Sequence, residues 1–176
     1  MNIKKTKNIK NIKIKNRGFF CFWAAALIAC MAAIFALSSK TGGQSGEMSG
    51  AIVSGLFGVN ADGGAGAPES AATLERFERL DFILRKSAHF LIFSALGFCV
   101  ANLAGQTQIA ENKKRVFWLS LGFGSFYAAT DEWHQYFVPG RSCMWQDWAI
   151  DTAGVLAGVS AALLAARILK KLITKN

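Results

Sequence analysis

Two long runs without a charged side chain dominate this sequence. One run extends over 22 residues from Gly18 to Ser39, and the other over 21 residues from Phe90 to Ala110. Runs of this length are typical of membrane-spanning helices, because about 20 residues at ~1.5 Å of rise each cross a ~30 Å hydrocarbon core. A soluble nucleic-acid-binding domain is therefore not expected, although the net charge of +9 would suit one.

Two shorter uncharged stretches extend the membrane interpretation to four spans. Residues 116–130 and 152–166 each have 15 residues and are each adjacent to a carboxylate, Asp131 or Asp151. Because 15 residues make only roughly 22 Å of helix, we expect these carboxylates to lie below the membrane surface. The predicted fold is all-α, a four-transmembrane-helix bundle with short outer amphipathic helices. Its membrane domain is residues 18–169, with spans at about 19–38, 88–104, 116–131 and 149–167.

The distribution of lysine and arginine predicts the orientation of this bundle. Residues 1–17, 105–115 and 167–176 together carry a charge of +13, whereas residues 39–88 and 131–151 together carry −4. Since basic loops stay in the cytoplasm, both termini, including basic tails at 1–17 and 170–176, are predicted to be cytoplasmic. A cleavable signal peptide is the alternative for residues 1–40, but its apolar region would be shorter, at about 7–15 residues.

The segments between the spans carry weaker signals. The glycine-rich stretch at 42–66 includes a short apolar patch, which fits either a helix on the membrane surface or a flexible linker. Between residues 74 and 84, apolar residues recur at helical spacing, so an amphipathic helix is expected to lead into the second span. Pro139 and Gly140 predict a turn, and Ser142 is a candidate N-cap of the last helix.

Polar side chains gather near the outer ends of the second, third and fourth spans. On a helix, residues three or four apart share a face, which groups Lys86 with His89, Asp131 with Gln135, and Asp147 with Asp151. The last of these faces continues as Gly154, Gly158, Ala161 and Ala165, and small residues allow helices to approach closely. The candidate polar site is therefore Lys86, His89, Asp131, Glu132, Gln135, Arg141, Asp147 and Asp151.

The cost of placing charge in a membrane makes this cluster informative. An unpaired ionisable side chain in hydrocarbon costs ~2.5–3.5 kcal/mol or more, so interior charges by default indicate function. A network of ion pairs that only holds the helices together is the alternative, as are charges simply exposed to solvent. Arg141 can bind a phosphate or carboxylate, or cap the preceding helix. His89 can act as a general acid or base, or serve as a structural hydrogen-bonding residue.

Metal and cofactor chemistry is not predicted from these residues. A metal site formed by His89, Asp131, Glu132 and His134 would require a convergence that the sequence does not indicate, and no cysteine pair has zinc-binding spacing. No cofactor is therefore expected. The usual hydrolase, zinc-protease and phosphate-loop motifs are also missing, which argues against an enzyme without excluding one.

Four segments resemble the VanZ-like family. They are ALSSKTGGQSGEMS at 36–49, RKSAHFLIFSALG at 85–97, DEWHQYFVPGR at 131–141 and WQDWAIDTAGVLAG at 145–158. The elements K-x-x-H, D-E-x-x-Q, R and D-x-x-x-D-x-x-G-x-x-x-G occur together and in order, over roughly residues 20–165. One departure is Lys40, which stands where the family usually has glutamine.

The resemblance implies a small polytopic protein of the bacterial cytoplasmic membrane. The founding member of the family is associated with low-level resistance to the glycopeptide teicoplanin, which implies a role in the cell envelope. The family's motif residues fall on the eight candidate site residues, without assigned catalytic roles. Three functions follow as expectations: binding of a membrane lipid or a lipid-linked cell-wall head group, an intramembrane acid/base enzyme, or a structural accessory subunit. No nucleic-acid partner is expected.

Overall fold

The computed structural model describes residues 14–58 and 71–174, and this part of the chain is helical throughout. The long helices are α1 (Arg17–Ser38), α2 (Gly42–Phe57), α3 (Ala71–Gly105), α4 (Lys113–Tyr136) and α5 (Trp145–Ile173). A short 3₁₀ helix, Gln108–Glu111, connects α3 to α4. Each of the four predicted spans lies within a single helix, so the all-α prediction is confirmed. Most of the basic amino-terminal tail, residues 1–13, lies outside the described residues.

Three helices have the length and composition needed to cross a membrane. They are α1, α3 and α5, with mean hydropathies of 2.4, 1.7 and 1.8 over their most apolar windows. The helix α4 contains the predicted third span but does not reach the same hydropathy, since charged residues occupy both of its ends. The membrane character of the chain is thus supported, and the fourth crossing remains a prediction.

The glycine-rich segment after α1 forms the helix α2 rather than a flexible linker. The Thr41 side chain accepts a hydrogen bond from the backbone of Gln44, and the Gln44 side chain accepts one from the backbone of Thr41. This reciprocal capping box starts the helix in spite of its many glycines. Gly58, in the left-handed conformation, ends it. The remainder of the glycine-rich stretch, residues 59–66, is outside the described part of the chain.

The amino-terminal half of α3 confirms the predicted helix that leads into the second span. The whole of α3 is one helix of 35 residues, about 52 Å long. It packs most extensively against α5, and glycines allow the two backbones to approach. A Cβ on Gly97 would overlap the carbonyl of Val155, and one on Gly158 would overlap the carbonyl of Ser94.

The buried face of α5 is rotated relative to its prediction. Asp151, Gly154 and Gly158 are buried, as the small-residue pattern predicts, but Ala161 is exposed. The buried stripe instead continues through Val159 and Ala162. The predicted positions are alternately three and four residues apart, so their mean spacing of 3.5 residues drifts off the 3.6-residue helical repeat and the inward face moves to the neighbouring positions.

The turn between α4 and α5 lies against the start of α2. The carbonyl of Pro139 accepts a hydrogen bond from the backbone of Gly42 at 3.0 Å, and a Cβ on Gly42 would overlap the carbonyl of Gly140. The turn at Pro139 and Gly140 is as predicted. The prediction that Ser142 caps α5 is wrong, because the helix begins at Trp145 after Met144, without a side-chain cap.

Candidate functional site

A cavity of about 260 Å³ opens where α1 ends and α5 begins, which we call the polar end of the bundle. Its wall includes side chains from α1, α2, α3 and α5, and from the loop before α5. Three cationic residues, Arg85, Lys86 and Arg141, line it, against two carboxylates, Asp147 and Asp151. The cavity therefore carries an excess of positive charge.

Lys86 is neutralised inside this cavity. Its ammonium group forms a half-buried ion pair with Asp147, which joins α3 to α5. Arg85 is paired as well, with Asp81 at 2.9 Å, one turn earlier on the same helix. Ser49 of α2 donates a hydrogen bond to the other oxygen of Asp81, so this pair also anchors α2 to α3.

Arg141 differs from the other two cations. Its Nε donates a hydrogen bond to the carbonyl of Lys40 at 3.3 Å, and it forms no ion pair with any described carboxylate. Burial and the nearby charge of Arg85 lower the pKa of the Arg141 guanidinium. Arginine nevertheless stays protonated in proteins. The remaining guanidinium N–H groups are therefore available to an anion in the cavity.

Asp131 is held by hydroxyl and amide groups and forms no ion pair with a described lysine or arginine. Ser38, the last residue of α1, donates to its Oδ2 at 2.8 Å, and Gln135 donates to the same oxygen at 2.9 Å. All three residues are buried. The Gln135 amide also lies 3.4 Å from the Ser38 hydroxyl. These contacts join α1 to α4 at the polar end.

His89 lies beside Asp151, the most deeply buried carboxylate of the site. The Nδ1 atom of His89 lies 3.5 Å from Oδ1 of Asp151, whose side chain is only 1% exposed. The imidazole ring also stacks near Phe93, with centroids 6.4 Å apart. Both residues of the pair line the cavity, so it extends from the cavity wall into the bundle.

Glu132 lies at the edge of this group. Its Oε2 accepts a hydrogen bond from the backbone of Met144 at 3.2 Å, which fixes the start of α5. Its Oε1 is buried without a hydrogen-bond partner in the described part of the chain. The glutamate is 3% exposed but does not line the cavity. It therefore connects the site to the loop before α5.

The structure brings the eight predicted site residues to the same end of the bundle, seven of them in three groups and Arg141 apart from these groups. Lys86 with Asp147 and His89 with Asp151 join α3 to α5. Asp131, Gln135 and Glu132 cluster on α4. His134, the fourth residue of the metal set considered from sequence, lies elsewhere. It stacks on Phe35 at 4.7 Å and contacts the Ser39 hydroxyl at 3.1 Å.

Sequence reasoning missed three residues that support the site. Ser38, Arg85 and Asp81 each make a contact described above, yet each looks ordinary by residue type. The one signal for Ser38 was its position in the 36–49 segment, which resembles a family motif. Ser38 is itself uncharged, so the charge pattern did not single it out. Arg85 directly precedes Lys86, and its place in the cavity wall depends on the packing of α2.

Comparison with known proteins gives one match. The sequence matches the family model described as VanZ/LLP1 over residues 22–167. No curated protein and no solved structure matches the chain. The matched range includes all eight predicted site residues and the whole polar end.

Proposed function

The chain belongs to the VanZ/LLP1 family, and on that basis we propose that it is a multi-pass protein of the bacterial cytoplasmic membrane with a binding role in the cell envelope. The cavity at the polar end faces outward in this proposal. It binds the anionic head group of an envelope amphiphile, with a lipid-linked cell-wall precursor as the foremost candidate.

The observation that carries this proposal is the state of Arg141. It is the one cavity-lining arginine or lysine without a carboxylate partner among the described residues, whereas Arg85 and Lys86 are both paired. A guanidinium presents a planar fork of N–H donors that matches phosphate or carboxylate oxygens. An anion in the cavity would give the Arg141 guanidinium the partner that no described carboxylate supplies.

The apolar part of the cavity wall supports an amphiphilic ligand over a free ion. Beside the charged residues, the wall contains apolar side chains from four helices: Ile34, Leu37, Met48, Ile92 and Ile150. A volume of about 260 Å³ lies just below the usual range for small-molecule sites, about 300–1,000 Å³. It accommodates a head group, with the apolar chains of the ligand left outside the bundle.

The outward orientation depends on α4 crossing the membrane as well, as the third of four spans. This helix has 24 residues, about 36 Å, which is long enough to cross the hydrocarbon core. It packs against α3 and α5 and exposes large apolar side chains at Trp118, Phe123 and Phe126. Together with the basic segments at 1–17, 105–115 and 167–176, this supports cytoplasmic termini and a polar end on the outer face.

Lipid retention by the purified protein tests the proposal. We would extract wild type and Arg141→Gln in mild detergent and compare co-purified phosphorylated lipids by mass spectrometry. Arg79→Gln is the matched control, because Arg79 is exposed and pairs only with Glu75 on the helix surface. Loss of one charge-assisted pair, about 1.5–3 kcal/mol, predicts a roughly 10- to 100-fold weaker retention in Arg141→Gln.

The lipid-retention measurement has outcomes that support or contradict head-group binding. Retention in wild type and Arg79→Gln, with loss in Arg141→Gln at equal protein yield, supports head-group binding at the cavity. Equal retention in all three proteins, or none in wild type, contradicts it. A deletion strain of the source bacterium then identifies the ligand through its lipid and muropeptide profile. Its teicoplanin sensitivity tests the resistance role implied by the family.

Catalysis is the second candidate function, favoured by the His89–Asp151 pair. A buried aspartate beside an imidazole can orient it and stabilise its protonated form, as in acid/base enzymes. His89 would then act on an anionic group held by Arg141. Chemically altered lipids or muropeptides in wild-type cells, and their loss in His89→Gln, would support turnover. Identical extracts would leave binding as the activity.

A further inference from the structure

Three side chains from three different helices meet beneath the cavity. His89 of α3, Asp131 of α4 and Asp151 of α5 each place a potential ligand atom within 4.8 Å of the other two. Asp131 and Asp151 are buried, and His89 is partly buried. The head-group proposal uses Arg141 and the cavity wall, so it leaves the convergence of these three residues unexplained.

The Asp151 side chain is the strongest indication of a missing partner. Its Oδ1 lies 3.5 Å from the His89 imidazole, but its Oδ2 is buried and accepts no hydrogen bond from the described residues. A carboxylate removed from water without full compensation is destabilising by several kcal/mol. A cation between the three side chains would supply the compensation that Oδ2 lacks.

Asp131 is arranged as metal-binding carboxylates commonly are. Both of its hydrogen bonds, from Ser38 and from Gln135, go to Oδ2. Neither of these hydrogen bonds goes to Oδ1. Groups that hold one oxygen of a carboxylate orient the other toward a metal ion and raise affinity. The two donors come from α1 and α4, so the carboxylate has little freedom to turn away.

We propose that His89, Asp131 and Asp151 bind one divalent cation of the Zn²⁺ type. One imidazole nitrogen and two carboxylate oxygens are a donor set that suits Zn²⁺, with a fourth position left for water or a ligand. His89 and Asp151 line the cavity, which provides the route of entry. Bonds of about 2.0–2.2 Å place tetrahedral ligands roughly 3.4 Å apart, so the side chains draw together by about an ångström on binding.

This cation site goes beyond the head-group proposal and does not depend on it. Arg141 forms no hydrogen bond or ion pair with the three ligands, and the metal ion alone serves as the probe. Sequence reasoning did not predict the site, because it combined His89 and Asp131 with Glu132 and His134. The packing of α5 supplies Asp151 instead, and His134 faces Phe35.

Metal binding is measured on the full chain in detergent, purified without a histidine tag and stripped with a chelator. The protein is titrated with Zn²⁺, Mn²⁺ or Mg²⁺, and bound metal is quantified by elemental mass spectrometry after gel filtration. We expect about one Zn²⁺ per chain. His89→Gln and Asp151→Asn should lower the affinity at least tenfold, and Ser38→Ala, which frees Asp131, should lower it roughly 10- to 100-fold.

Two variants serve as matched controls. His134→Gln removes the other histidine of the chain. Glu78→Gln removes an exposed carboxylate of α3 that does not line the cavity. Both should bind Zn²⁺ like wild type, and gel filtration verifies that every variant is folded. Wild-type protein with no more Zn²⁺ than empty micelles would overturn the proposal, whatever the variants do. Unchanged binding in His89→Gln and Asp151→Asn, or equal losses in the two controls, would overturn it as well.

Discussion

Ser38 and Asp131, 93 positions apart in the sequence, form a buried hydrogen bond of 2.8 Å between the end of α1 and the outer part of α4. Neither side chain can reach water, since Ser38 is fully buried and Asp131 nearly so. The contact joins the 36–49 segment to the DEWHQ segment of α4, residues 131–135. Two sequence motifs with no evident connection are thus parts of one structural unit.

Ser38→Ala is expected to destabilise the protein through this contact. The substitution leaves Asp131 with Gln135 as its hydrogen-bond donor, and an incompletely satisfied buried acceptor costs about 1–3 kcal/mol. Thermal unfolding in detergent should show a lower midpoint. Ser39→Ala is the control, because the neighbouring hydroxyl is exposed and contacts His134 outside the cluster. Equal effects of the two substitutions would contradict the assignment.

The ion pair between Lys86 and Asp147 predicts non-additive effects. Either Lys86→Met or Asp147→Leu alone leaves a half-buried charge without a partner, which costs about 1–3 kcal/mol or more. The double variant removes both charges, so it should be less destabilised than the sum of the single variants. We expect a coupling of about 0.5–3 kcal/mol in a double-mutant cycle of unfolding free energies. A coupling of zero would mean that the pair does not form.

The close packing around Gly158 predicts that adding a single methyl group there strongly destabilises the protein. A Cβ at this position would overlap the backbone carbonyl of Ser94 on α3, and no side-chain rotation can relieve that contact. Gly158→Ala should therefore cost about 1–3 kcal/mol or more and lower the folded yield. The matched control is Gly122→Ala on α4, where nothing lies within 4 Å. That change should be neutral or stabilising by up to ~1 kcal/mol, because alanine favours helix.

The number of spans is testable by topology. Four spans place both termini in the cytoplasm, so a fluorescent protein fused to either end should fluoresce in intact cells. Cys143 lies in the turn before α5 and is exposed, so a membrane-impermeant maleimide should label it from outside. Cys143→Ser is the control for the labelling. Termini on opposite sides would show that only α1, α3 and α5 cross the membrane.

The spans and the membership of the site were predictable from the sequence for a common reason. Hydrophobic runs and isolated charges are local signals, and a charge beside a short apolar run must turn toward the protein interior. Asp131 and Asp151 were identified in this way, whereas Lys86 and His89 were identified by their spacing of three residues on one helix face. The start of α5 was less predictable, because Ser142 has the chemistry of a helix cap but the chain stays extended through Met144.

The sequence by itself determined an all-helical membrane chain, its strongest spans and the residues of its polar end, because these follow from the hydropathy and charge of neighbouring residues. Only the tertiary structure decided which partners those residues have. Asp131 accepts a hydrogen bond from Ser38 and has no cationic partner, and Arg141 has no carboxylate partner among the described residues. His89 lies beside Asp151. These pairings depend on how closely the glycines allow α3 and α5 to approach. They also depend on where the end of α1 packs against α4. Those distances arise from packing between residues far apart in the chain, which no local pattern encodes.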